Sequence, residues 1–221
     1  MIAIAAVIAI PAFAHQTEKA PAAPTPFALP EPGSYELPPI AHVAEFSLLD
    51  EAGAAVPLLG LAPDQVAVVS FIYSRCGDGH GCPAALAVLQ RVDRAIAADP
   101  TLASRVRLAT VSFDPANDTP ERMSELRRAL APVSGWRFLT APDAATIAPV
   151  LAAYGQDLLP LVGDDERALG LYRHVLKVFL VDARGDIRNI YSSGFLSPEV
   201  LLVDARTVLS ANAAGQRAAT R

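Results

Sequence analysis

The stretch VAVVSFIYSRCGDGHGCP, residues 66–83, constrains this chain more than any other. It opens with an almost continuous apolar, β-branched run of the kind a strand shows when both its faces are buried. A glycine-rich loop follows and carries both cysteines, Cys76 and Cys82, with Asp78 and His80 between them. Pro83 then suits the first position of a helix, where a missing N–H costs nothing. Leu86, Leu89, Val92 and Ile96 recur at helical spacing, so residues 83–98 are expected as an amphipathic helix. Residues 106–113 supply the next buried strand and complete a strand–helix–strand unit.

The rest of the chain fits around that unit. Residues 46–49 and 56–59 flank a turn at Glu51-Ala52-Gly53 and form an N-terminal β-hairpin. Asp114-Pro115 breaks the strand, and Thr119-Pro120-Glu121 opens a helix with a cap, an N1 proline and an acid at its positive end. A short strand at 136–139 and a helix at 143–154, stopped by Gly155, come next. Residues 156–172 lack a period and read as a long loop. His174 precedes a strand at 175–181, a turn at 182–186, a strand at 187–192 and a last helix opened by Ser197-Pro198-Glu199. This order predicts an α/β, thioredoxin-like fold, with a central mixed β-sheet flanked by helices on both faces.

With 221 residues, 52% of them hydrophobic, the chain can bury one substantial core. Its net charge of −5 and the absence of a basic run argue against a nucleic-acid partner. Residues 1–14, MIAIAAVIAIPAFA, are uncharged and end in a small-x-small pattern. They read as a signal peptide, with a short membrane anchor as the alternative. Export would place the cysteines where a disulfide persists. It would also make His15 the mature N-terminal residue, able to chelate copper through its amine and ring, although a cleavage accident explains its position as well. Residues 15–41, rich in proline and alanine, are expected as an extended tether, residues 42–212 as the folded domain and residues 213–221 as a frayed tail.

The chemistry centres on the cysteine loop. A cysteine at a helix N-terminus feels the positive end of the dipole, which favours thiolate, and Arg75 adds positive charge beside Cys76. A plain staple is the bland reading, but closing so short a loop stabilises by only about 2–3 kcal/mol, and a chain of this size folds without it. Taken alone, His174 reads as a satisfied loop residue before an apolar strand, but the expected fold can bring the start of the 175–181 strand, and His174 with it, next to the loop. Two thiolates and one imidazole form a soft three-ligand site suited to Cu(I), or to Cu(II) with a weak extra ligand. Zinc would want a fourth protein ligand for a structural role. His80 is the candidate extra ligand, against the simpler reading of a solvated loop residue. Asp118 is read as a turn and helix-capping residue, and Asp114 as a support for the site through loop N–H groups or an imidazole.

FIYSRCGDGHGCP, VSFDPANDTPE and HVLKVFLVD occur in the order and at the separations that characterise the Sco/SenC proteins, which the chain resembles over residues 43–210. The aspartate-proline motif, and the histidine followed five residues later by the aromatic Phe179, give the likeness its specificity. The resemblance implies a thioredoxin-fold, exported or membrane-tethered copper protein associated with assembly of the CuA centre of cytochrome c oxidase. It implies Cys76, Cys82 and His174 as copper ligands and Asp114 as the acidic residue nearby. Family members usually separate their cysteines by three residues and place a proline after each. Here five residues intervene, and proline follows Cys82 alone.

Two functions are therefore expected to compete. In one, an exported, periplasmic metallochaperone delivers copper to an extracytoplasmic client. In the other, a thiol–disulfide oxidoreductase uses Cys76 and Cys82 as a redox-active dithiol on a partner's cysteines. A peroxidase with Cys76 as the peroxidatic cysteine is weaker, because Ser70 and Ser74 poorly replace the usual threonine-rich approach.

Overall fold

A computed structural model describes residues 28–77, 81–163 and 168–219. The expected signal or anchor at 1–14, His15, Asp78 and His80 lie outside the described residues.

The central sheet has six strands: β1 (Ala41–His42), β4 (Val66–Ile72), β5 (Val106–Ser112), β6 (Arg137–Leu139), β9 (Lys177–Asp182) and β10 (Asp186–Ser192), in the order β1-β10-β9-β4-β5-β6. Strands β4, β5 and β6 run parallel, while β9, β10 and β1 pair antiparallel, so the sheet is mixed as expected. A two-stranded hairpin, β2 (Ser47–Leu49) with β3 (Ala55–Pro57), joins it through a bridge between Leu49 and Thr140.

Every residue of β4 is buried, and the pleat divides them between two cores. Ala67, Val69 and Phe71 face one side with Val111, Phe179 and α4 (Ala144–Ala153). Val66 and Val68 face the other, with Leu108, Val178 and the buried faces of α1 (Cys82–Ala98) and α5 (Pro198–Ala219). The remaining helices are α2 (Pro100–Arg105) and α3 (Pro120–Leu130). On the second side Ser70 and Thr110 share a hydrogen bond of 2.8 Å, and Trp136 Nε1 donates to Thr110 at 2.9 Å, so these three buried polar groups partner one another. Among the described residues no helix is long and apolar enough to cross a membrane.

One expectation needs correction, and the structure adds detail elsewhere. Residues 156–172 are not a loop: β7 (Leu158–Val162) pairs antiparallel with β8 (Ala168–His174). This hairpin leaves Leu159, Val162 and Leu169 exposed, so the alternation that marks a half-buried strand is missing from its sequence. Helix α2 was not foreseen, although Asp99 caps it by accepting from Thr101 N–H at 2.9 Å, with Pro100 behind. Part of the expected tether lies on the domain. Arg188 donates to Leu37 O at 2.6 Å, Ile40 N–H to Ile187 O at 2.8 Å, and the Tyr35 hydroxyl to Asp204. An extended segment has unspent backbone donors and acceptors, and the domain surface partners them. The last helix, α5, runs to Ala219 through a segment rich in the strong helix former alanine.

Candidate metal centre

Parallel strands β4 and β5 both end at one edge of the sheet, where crevices form outside the carboxyl ends of strands. Beyond β4 the chain turns, with Cys76 N–H donating to Tyr73 O at 3.2 Å. Helix α1 starts at Cys82 with Gly81 as its uncapped N-terminal neighbour and Pro83 in its first turn. Cys82 is therefore 2% exposed at the helix start, while Cys76 is half-buried on the loop.

Antiparallel pairing brings in the histidine. Strand β9 pairs with β4 through Val66↔Asp182 to Ser70↔Val178. Continued along the same line, that register sets His174 opposite Ser74, two residues before Cys76. Nε2 of His174 lies 3.7 Å from Sγ of Cys82, and the ligand atoms of Cys76, Cys82 and His174 all lie within 4.8 Å of one another. Sulfur and nitrogen bind a metal such as zinc at about 2.0–2.3 Å, so two donors on one ion stand at most about 4.6 Å apart. The three residues reach that geometry with a contraction of a few tenths of an ångström. Two sulfurs and an imidazole form a soft donor set.

Aromatic rings hold the imidazole. Phe113 meets it edge-on at 4.9 Å and Tyr73 at 6.2 Å, and Tyr172 packs on both Phe113 and Tyr73. Tyr73, Tyr172 and Leu176 line a cavity of about 400 Å³ together with Cys76, Gly81 and His174.

The electrostatics differ from expectation. Burial pushes the Cys82 thiol up to about 12, with the nearby Cys76 sulfur adding to the effect. The helix N-terminus does not outweigh desolvation here. Arg75 also does not serve Cys76 as a lone cation. Its Nη2 donates to Asp114 Oδ2 at 3.1 Å and to Gly170 O at 2.8 Å.

Asp114 is 3% exposed and meets Arg75 and Asn117 Nδ2. Asp118 is not the helix cap, a position that Thr119 takes by accepting from Arg122 N–H. Asp118 instead accepts from Ser74 N–H at 2.9 Å and from the Ser112 hydroxyl at 2.5 Å, which pins the approach to the cysteine loop. Sequence reasoning missed this role, together with the shell of Tyr73, Phe113 and Tyr172. The available signal was a run of aromatics falling at the ends of three elements that converge on the loop.

A family model described as SCO1/SenC matches residues 36–210. Among solved structures, Bradyrhizobium japonicum ScoI with copper bound is 25% identical, with a TM-score of 0.59, covering 78% of this chain and 99% of that one. A SCO1/SenC family lipoprotein from Bacillus anthracis is 19% identical with a TM-score of 0.63, covering 80% and 99%. BsSco, described as a member of the Sco family of cytochrome c oxidase assembly proteins with a disulfide switch, is 19% identical with a TM-score of 0.62, covering 79% and 98%. No curated protein sequence matches the chain. The family match spans most of the chain and takes in both cysteines and His174, and the protein belongs to the SCO1/SenC family.

Proposed function

We propose that this protein is an exported metallochaperone that holds copper through Cys76, Cys82 and His174. It passes the ion to an extracytoplasmic metalloprotein such as the CuA site of cytochrome c oxidase. The observation that carries this reading is the convergence of two thiols and an imidazole within 4.8 Å, from segments far apart in the chain. Copper bound to the B. japonicum relative supports the choice of ion. The family description of BsSco supports the client class. The uncharged residues 1–14 and the lipoprotein nature of the B. anthracis relative support an extracytoplasmic setting, with the N-terminus as the membrane tether.

Transfer follows from the exposure of the donors. A client thiolate reaches the ion from the side of half-buried Cys76, replaces that sulfur first, and leaves buried Cys82 to let go last. The test is anaerobic titration of the reduced protein with Cu(I) against a competing chelator. A one-to-one site that weakens sharply in His174→Ala is the expected result. Absence of a one-to-one site in the wild-type protein overturns the proposal.

A second reading, a thiol–disulfide oxidoreductase, is favoured by the same closeness of two thiols, one of them less buried than the other. Here the Cys76 thiolate attacks a client disulfide, and Cys82 then displaces the client from the mixed disulfide. Cys76–Cys82 is left oxidised and the client gains two thiols. Thiol exchange needs only the two sulfurs for its bond changes, so His174→Ala would leave the first step, attack by Cys76, far less affected than copper binding.

A further inference from the structure

We infer that Arg75 is a positioning residue for His174, tying strand β8 to the cysteine loop and the end of β5 through a single guanidinium nitrogen. The inference rests on the proposed copper site and concerns how its imidazole is held.

His174 is the last residue of β8, and β8 pairs with β7 in a sheet of its own. Strand β9 begins three residues on, at Lys177, and its pairing with β4 brings the end of β8 to the loop. Among the described residues no ladder joins the rest of the hairpin to the central sheet, so its placement also depends on side-chain contacts. Arg75 supplies one from the residue next to Cys76. One Nη2 donates to Asp114 Oδ2 at 3.1 Å and to Gly170 O at 2.8 Å, and Gly170 shares the strand with His174. Asp114, buried and also held by Asn117, is the fixed end of this bridge.

Gly170 carries an independent sign of the same contact. Its φ is +65°, and a Cβ built there would stand 2.8 Å from Arg75 Nη2 and 3.1 Å from Nη1. The guanidinium occupies the space a side chain at 170 would fill. Nearby, the Tyr73 hydroxyl reaches only 3.4 Å from Tyr172 O, a weaker tie to the same strand. The Arg75 bridge is thus the charged, short contact that sets where the histidine-bearing strand lies relative to the sulfurs.

Arg75→Met keeps an unbranched apolar stem and removes the guanidinium with both of its hydrogen bonds. Gly170→Ala attacks the bridge from its other end. Both variants are expected to weaken Cu(I) binding by about 10–100-fold, as losing an outer-shell partner typically does. Both should also reduce the nitrogen hyperfine coupling in the electron paramagnetic resonance spectrum of the Cu(II) form. In the metal-free protein, both should lose the nuclear Overhauser contact between the His174 and Phe113 rings. Arg75→Lys, which keeps a cationic donor, should recover part of each signal. Should Arg75→Met fail to fold, Arg75→Lys and Gly170→Ala decide. The inference is overturned if the folded variants keep wild-type affinity, hyperfine coupling and ring contact. If the wild-type protein binds no copper, the proposed function falls, and the ring contact in the metal-free protein still decides the role of Arg75.

Discussion

Sγ of Cys82 and Nε2 of His174 stand 3.7 Å apart although 92 positions separate the two residues in sequence. The pairing of β9 against β4 produces this approach. Replacing His174 by alanine removes a donor and leaves both sulfurs. Cu(I) affinity is expected to fall by more than the about 10–100-fold that loss of an outer-shell partner costs. Attack by Cys76 on a small disulfide should stay within about twofold of wild type, since the bond changes of that step need only the sulfurs. Chelator competition and stopped-flow kinetics on the same preparation separate the two readings.

The two sulfurs differ in access. Cys82 is 2% exposed and Cys76 half-buried, so iodoacetamide at pH 8 is expected to modify Cys76 at least about tenfold faster than Cys82, because alkylation needs an accessible thiolate. Peptide mass spectrometry over a time course reads the order directly. Equal rates at the two positions would mean that Cys82 does not stay inside the domain.

Much of this site was legible in the sequence. The apolar run at 66–73, the helical spacing after Pro83 and the apolar strand before Asp182 predicted three elements whose ends converge, and Cys76, Cys82 and His174 sit at those ends. Less legible was whatever depends on a contact between distant side chains. Arg75 reads as a free cation beside a cysteine until Asp114 and Gly170 are placed around it. Asp118 reads as a cap because aspartate before Thr-Pro-Glu is a common cap, yet its carboxylate turns to Ser74 and Ser112. The β7–β8 hairpin hid because its side chains are largely exposed, and period-2 alternation arises only where one face is buried.

Tyr154 is buried against Phe71 and Phe179, and its hydroxyl has no hydrogen-bond partner among the described residues. Burial raises its pKa well above the ordinary tyrosine value, chiefly by desolvation. The sign follows from linkage. Below the unfolded value of about 10 both states hold the proton, and the stability is fully present. As pH rises above 10 the unfolded tyrosine ionises while the folded one does not, and stability falls by about 1.4 kcal/mol per pH unit for this group. Tyr154→Phe removes the orphaned hydroxyl, so stability at pH 7 should hold or rise by about 1 kcal/mol. The decline between pH 10 and 11 should become shallower. Urea denaturation at pH 7, 10 and 11 checks both parts, and a loss above about 1 kcal/mol at pH 7 would show that the hydroxyl is satisfied after all.

Asp118 joins the end of β5 to the start of the cysteine loop. Its Oδ2 accepts both the Ser74 N–H and the Ser112 hydroxyl, and the residue is fully buried. Asp118→Ala leaves two buried donors without their acceptor. Hydrogen bonds to a charged group contribute about 1.5–3 kcal/mol each, so the expected loss is about 3–6 kcal/mol. Asp118→Asn keeps a carbonyl oxygen for Ser74 and should lose about half as much. The same order should appear at the site, because the Ser74 contact fixes the backbone two residues before Cys76. Cu(I) affinity should fall most in the alanine variant and least in the asparagine variant. Urea denaturation gives the first order and chelator competition the second. Unchanged copper affinity in a destabilised but folded Asp118→Ala would confine this carboxylate to holding the fold.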